Sequence, residues 1–94
     1  MKDIYRFSNP AIVFNKARAL FGPNIKIQLS TRKDKKYMIY DKADKKWIHF
    51  GQIGYEDYTK HKNEDRRKQF QQRNHLWKDE PKFTPAYLSY KLLW

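Results

Sequence analysis

The sequence predicts a small single-domain α+β protein in the order α-β-β-β-α-α, and three observations carry that reading. Two segments, Ser8-Asn9-Pro10 and Thr84-Pro85, pair a capping side chain with a following proline, the usual opening of a helix. Between them lie three short runs rich in β-branched and aromatic residues, separated by polar turns, the pattern of an antiparallel meander. A chain of 94 residues buries only about two-thirds of its unfolded surface, enough for one core.

Taken in order, residues 1–22 form an N-terminal helical segment. After the cap at Ser8-Asn9-Pro10, Val13, Ala17 and Leu20 share a face with Phe14 and Phe21 beside it, Lys16 and Arg18 point outward, and Gly22-Pro23 ends the helix. Residues 25–50 form the β-meander. "IKIQLS" (25–30) alternates like a half-buried strand, "KYMIY" (36–40) is apolar on both faces and so central, and "WIHF" (47–50) is the third strand. Residues 51–62 lack a period and read as a structured motif loop. Asn63 caps a basic helix over 63–76, with Glu64 and Asp65 on the favourable side of its dipole. That helix has one obvious apolar contact, Phe70, among Arg66, Arg67, Lys68 and Arg73, so its own hydrophobic face cannot hold it. Residues 84–94 form the last helix. Leu88 and Leu92 stack one turn apart, beside a stripe of Tyr87, Lys91 and Trp94, and the segment tucks into the core.

Composition narrows the function. With no cysteine there is no disulfide framework and no cysteine-held zinc. No stretch reads as a signal peptide or a membrane span, so the expected setting is not secretory and no membrane partner is expected. The net charge of +11 divides as +4, +4 and +3 over residues 1–30, 31–62 and 63–94. An evenly basic folded body attracts polyanions, nucleic acid first among them, though lysines also serve simple solubility.

The stretch "HFGQIGYEDYTKHKNEDRRKQF" (49–70) concentrates the candidate chemistry. His49, His61 and His75 are too irregularly spaced to share a helix face as metal ligands; strand, backbone-carbonyl and helix-end roles respectively explain them. A metal-dependent nuclease could be assembled from Asp57, His61, Glu64 and Asp65 with Mg²⁺ or Mn²⁺, but no dense signature supports it. The same acids serve as partners for Arg66, Arg67 and Arg73, and a buried Asp57–Arg67 pair is one such arrangement. Gly51 and Gly54 form only a G-x-x-G, without the lysine of a phosphate loop; a backbone role is favoured over a ligand clamp. No catalytic residue, metal or cofactor is therefore assigned. Basic residues interleaved with rings remain, as Lys clusters at both sheet turns beside Tyr37, Tyr40 and Trp47. The two turns lie at opposite ends of a meander, so the expected geometry is a long strip.

"STRKDKKYMIYD", "KWIHFGQIGYEDYTKHKNEDRR", "NHLWKD" and "LSYKLLW" resemble a small family, with no established activity, encoded by large eukaryotic DNA viruses of the mimivirus, iridovirus and chlorella-virus kind. The resemblance covers about residues 30–94 and follows the pattern H-F-G, G-Y-x-D-Y/F-T-x-H-K-D and paired basic residues. It falls on His49, Phe50, Gly51, Gly54, Tyr55, Asp57, Tyr58, Thr59, His61, Lys62, Arg66 and Arg67, followed by Arg73, Trp77, Asp79 and Trp94. The chain departs from the pattern at Asn63, more often Asp, and at Asn74-His75, where Arg-His is found.

The expectation is a viral protein that binds nucleic acid, DNA favoured, without catalysis, in genome packaging or a viral replication compartment. It would sit in the virion or in the host-cell cytoplasm or nucleus. Lys33, Lys35, Lys36, Lys45, Lys46, Arg66, Arg67 and Arg73 would contact phosphates, and Tyr55 and Tyr58 would stack. The alternative is a virion structural or adaptor protein that recognises an acidic protein surface, such as another viral structural protein. A folding role competes for Gly51, Asp57 and Thr59.

Overall fold

The computed structural model describes residues 4–94; Met1, Lys2 and Asp3, which begin the expected N-terminal segment, lie outside the described residues. A 3-10 turn at Ile4–Arg6 leads into α1, Pro10–Phe21. The cap is Asn9, whose side chain accepts from the Ile12 N–H, while Pro10 occupies the first turn. Ser8 takes no part in capping and is buried instead. The buried stripe of α1 runs through Pro10, Val13 and Ala17, with Phe14 and Phe21 half-buried beside it. Leu20, expected on that stripe, is 39% exposed: a step of four from Ala17 leads to Phe21 rather than Leu20.

The strands form one antiparallel sheet in the order β1 (Ile27–Leu29), β2 (Lys35–Asp41), β3 (Lys46–Gln52). β2 is central, as its two-sided apolar pattern requires, and pairs Ile39 with Ile27 and Ile48, and Tyr37 with Leu29 and Phe50. The first strand is shorter than expected: Ile27, Gln28 and Leu29 pair with β2, while Lys26 and Ser30 at its ends each keep one backbone hydrogen bond, from the Tyr40 N–H and to the Lys36 carbonyl. The third runs two residues further, through Gly51 to Gln52 opposite Lys35.

Within the expected motif loop the chain makes a short helical turn, α2 (Tyr58–His61). α3 spans Glu64–Arg73, and Asn63 accepts from the N–H groups of Asp65 and Arg66, as a cap should. The basic helix stops earlier than expected, at Asn74, whose own N–H and side-chain amide both donate to the Phe70 carbonyl; a 3-10 segment follows at His75–Asp79. α4 begins at Pro85 under a Thr84 cap and widens after Leu88 into a π-helical turn, Ser89–Leu93.

The core lies between α1, the sheet and the C-terminal segment, and centres on Val13, Ala17, Tyr37, Ile39, Phe50 and Leu88. Leu92 and Leu93 close it from the C-terminal side, so that segment does tuck inward. The basic helix α3 has no fully buried residue; Phe70 holds it by stacking on Trp94, centroids 4.4 Å apart and planes 7° from parallel. Among the described residues no helix is long and apolar enough to cross a membrane.

Candidate functional site

The motif divides into a buried part and an exposed part. The buried part is a chain of polar groups that joins three separate segments. Tyr37 donates from its phenol to Ser8 Oγ at 2.6 Å, and Ser8 Oγ lies 3.1 Å from Thr59 Oγ1. Thr59 in turn donates to Asp57 Oδ1, and the Asn9 N–H donates to Thr59 Oγ1 at 3.0 Å. Each hydroxyl carries one proton, so the donors run in a single direction, Tyr37 to Ser8 to Thr59, and end on a carboxylate that can only accept. Burial pushes the Tyr37 phenol well above its ordinary pKa and keeps it a donor.

The other Asp57 oxygen faces Lys36 Nζ at 3.1 Å, and both side chains are almost wholly buried. Lys36 also donates to the Phe7 carbonyl at 3.4 Å, and the Asp57 N–H donates to the same carbonyl at 3.0 Å. Burial lowers the Lys36 pKa, and the Asp57 carboxylate opposes that effect. Lys36 is thus no phosphate contact: its charge is spent on Asp57. Asp57 pairs with Lys36 rather than with Arg67, the partner weighed from sequence.

Gly51 makes this possible. A Cβ there would stand 3.0 Å from Leu93 Cδ1 and 3.1 Å from Lys36 Cβ, and its φ is +81°. The bare glycine leaves the room that the Lys36 stem and Leu93 fill. Gly54, at φ +104°, has open space around it and is required for its backbone angle alone.

Arg67 is also absorbed by the fold. Its Nε donates to the Trp94 main-chain oxygen at 2.9 Å, one terminal nitrogen meets Glu64 at 3.3 Å, and the guanidinium lies 5.2 Å from the Tyr58 ring centroid. Tyr58 donates its hydroxyl to Glu64, so one ring face and its polar tip are engaged. That hydrogen bond raises the Tyr58 pKa and lowers that of Glu64. Tyr58 is therefore ill placed for the stacking role expected of it.

His61 Nδ1 accepts from the Asn63 N–H at 2.9 Å, where donation to a backbone carbonyl was expected. That bond places the ring proton on Nε2, which is buried with no hydrogen-bond partner among the described residues. The ring packs on Trp94, centroids 5.1 Å apart. Burial, then the Arg66 charge, lowers its pKa, while Glu56 and Asp57 oppose the shift. His49 Nδ1 lies 2.6 Å from Ser30 Oγ on the sheet, and His75 Nδ1 donates to the Gln72 carbonyl at 3.1 Å. Among the described residues no group of three or more His, Asp or Glu side chains converges to hold a metal ion. Asp57, His61, Glu64 and Asp65 are each placed by the contacts just given or, for Asp65, on the exposed first turn of α3.

The exposed part of the motif faces a groove of about 590 Å³ between the end of the sheet, α3 and the C-terminal segment. Phe70, Trp77, Trp94 and Leu93 form its apolar wall, and Gly51 and Ala86 also line it. Lys35, Arg66 and Arg73 supply its cations, and Tyr55, 70% exposed, and Glu56 border it. Arg66 meets Glu56 only at 3.9 Å, with both side chains 40% or more exposed, so the pair neutralises little. Arg73 makes no ion pair among the described residues.

Of the expected phosphate contacts, Lys35, Arg66 and Arg73 come together here. Lys33 lies on the exposed turn between β1 and β2 at the same end of the sheet, where the Asp34 carbonyl accepts from the Ile53 N–H. Lys45 and Lys46 lie at the opposite end of the β2–β3 pair, six residues or about 20 Å away. Tyr40 and Trp47 face away from Tyr37 and Ile39 and pack edge to face, centroids 5.3 Å apart. Trp77 and Trp94, expected only as frame residues, are walls of the groove. Sequence reasoning missed the groove because its wall needs the C-terminal segment brought against α3, a contact no local pattern announces. It also missed the roles of Ser8 and Tyr37, which read as a helix cap and a strand ring.

No curated protein and no solved structure matches the chain. A family model described as a family of unknown function matches residues 25–74, which takes in the three strands, the motif and α3. By that match the chain belongs to the family of unknown function DUF5754.

Proposed function

We propose that this protein binds nucleic acid without catalysis, through phosphate contacts made at the cationic rim of the groove. The observation that carries this reading is that Lys35, Arg66 and Arg73 share one concave surface, in a chain of net charge +11. Cations so placed attract a polyanion at long range and exchange its condensed counterions on contact. Lys33 extends the rim along the neighbouring sheet turn. DNA is the favoured polymer in this reading, with a place in genome packaging or a viral replication compartment; the sequence resemblance bears on the viral setting alone.

A salt series of gel shifts on single- and double-stranded DNA and RNA tests the reading. The logarithm of the affinity should fall linearly with the logarithm of salt. For three neutralised phosphates the slope is about −2 on single strands and nearer −3 on duplex. No retention at low salt, or tight binding indifferent to salt, would overturn it.

A further inference from the structure

We propose that the groove receives an unpaired nucleobase, so that the protein prefers single strands to duplex; this rests on the nucleic-acid reading above. Three features of the groove point there. Its volume of about 590 Å³ falls within the range of sites that enclose small aromatic molecules. A duplex keeps its bases stacked inside a convex surface and could touch only the rim, which would leave the apolar wall wet.

The wall is aromatic where a base would lie. Phe70 packs between Trp94, stacked at 4.4 Å, and Trp77, edge-on at 5.7 Å, so the rings of the wall support one another without a ligand. Tyr55 stands at the mouth with 70% of its surface exposed, a ring with a free face for stacking. The polar groups are of two kinds. Arg66, Arg73 and Lys35 suit the phosphates on either side of an inserted base. Glu56, Gln52 and Gln69 can accept from and, for the glutamines, donate to a base edge. A merely electrostatic surface has no need of the second kind or of the wall.

The test uses the whole protein and three labelled probes of equal length: an oligodeoxyadenylate single strand, the same sugar-phosphate strand without bases, and a duplex. Fluorescence anisotropy at physiological ionic strength reads the affinities. The base-bearing strand should bind roughly five- to a hundred-fold more tightly than the abasic strand, the range of one or two stacked bases. Tyr55→Ala should shrink that ratio, and its exposed position keeps the fold out of the comparison; Trp77→Ala should shrink it further. Arg73→Ala should weaken both strands by a similar factor and preserve the ratio. Equal affinities for the base-bearing and abasic strands, both still sensitive to salt, would overturn the base pocket and leave backbone contact standing. Binding to none of the probes would remove the nucleic-acid reading itself.

Discussion

Lys35 and Lys36 are neighbours in sequence and opposites in use. Lys36 is buried against Asp57 and helps tie residues 7–9, β2 and the motif into one body. Lys35 lies on the groove beside Arg66 and Arg73. The same division runs through the motif: Phe50, Asp57 and Thr59 are buried, whereas Tyr55 and Glu56 border the groove. A dense run of charged and aromatic residues is therefore no single device. Half of it makes the fold, and that half holds the other in place.

If the division is right, changes to the buried half should cost stability first. Asp57→Ala should have the largest effect, about 3–5 kcal/mol by urea unfolding, because it strands the Lys36 charge and the Thr59 donor together. The double change Lys36→Met with Asp57→Leu should recover much of that loss, since no buried charge is then left alone. Gly51→Ala should cost less, about 1–3 kcal/mol, from the positive φ and the contacts at 3.0 and 3.1 Å with Leu93 and Lys36.

A smaller effect should appear with pH. Folding lowers the His61 pKa below its ordinary value, so the unfolded chain binds the proton more readily. Stability is then full above about pH 6.5 and declines as pH falls through that value towards the folded pKa. A protonated Nδ1 also loses the hydrogen bond from the Asn63 N–H. Urea midpoints at about pH 7.5 and pH 5 should differ, and His61→Gln should reduce the difference. A variant with an unchanged difference would assign the pH dependence elsewhere.

Much of the fold was legible because its signals are local. Asn9-Pro10, Asn63 and Thr84-Pro85 each begin a helix, and the two-sided apolar run at 36–40 is the central strand. The partners of charged side chains were not legible. Lys36 meets Asp57 across 21 residues, and Arg67 meets the Trp94 main-chain oxygen across 27. Those distances close only when the sheet, α3 and the C-terminal segment have packed, and no periodicity records them. Strand alternation puts Lys36 on the face of Tyr40 and does not announce its burial. Gly51 on the next strand leaves the space that its stem fills. The site was half legible for the same reason. Arg66 and Arg73 were named from charge, and Tyr55 as a ring able to stack. The wall behind them, built from Phe70, Trp77 and Leu93, needed the fold.

On the proposed reading the rim, and not the total charge, does the binding. Arg66→Ala with Arg73→Ala and Lys45→Ala with Lys46→Ala remove the same charge from opposite ends of the molecule. Affinity for a DNA single strand, measured for both double variants across a salt series, separates place from sum. The arginine pair should lose at least about tenfold, with a salt slope shallower by about 1.4. The lysine pair should lose about twofold or less, with the slope nearly unchanged, and both variants should keep unfolding midpoints close to the parent. Equal losses in the two variants would contradict that reading.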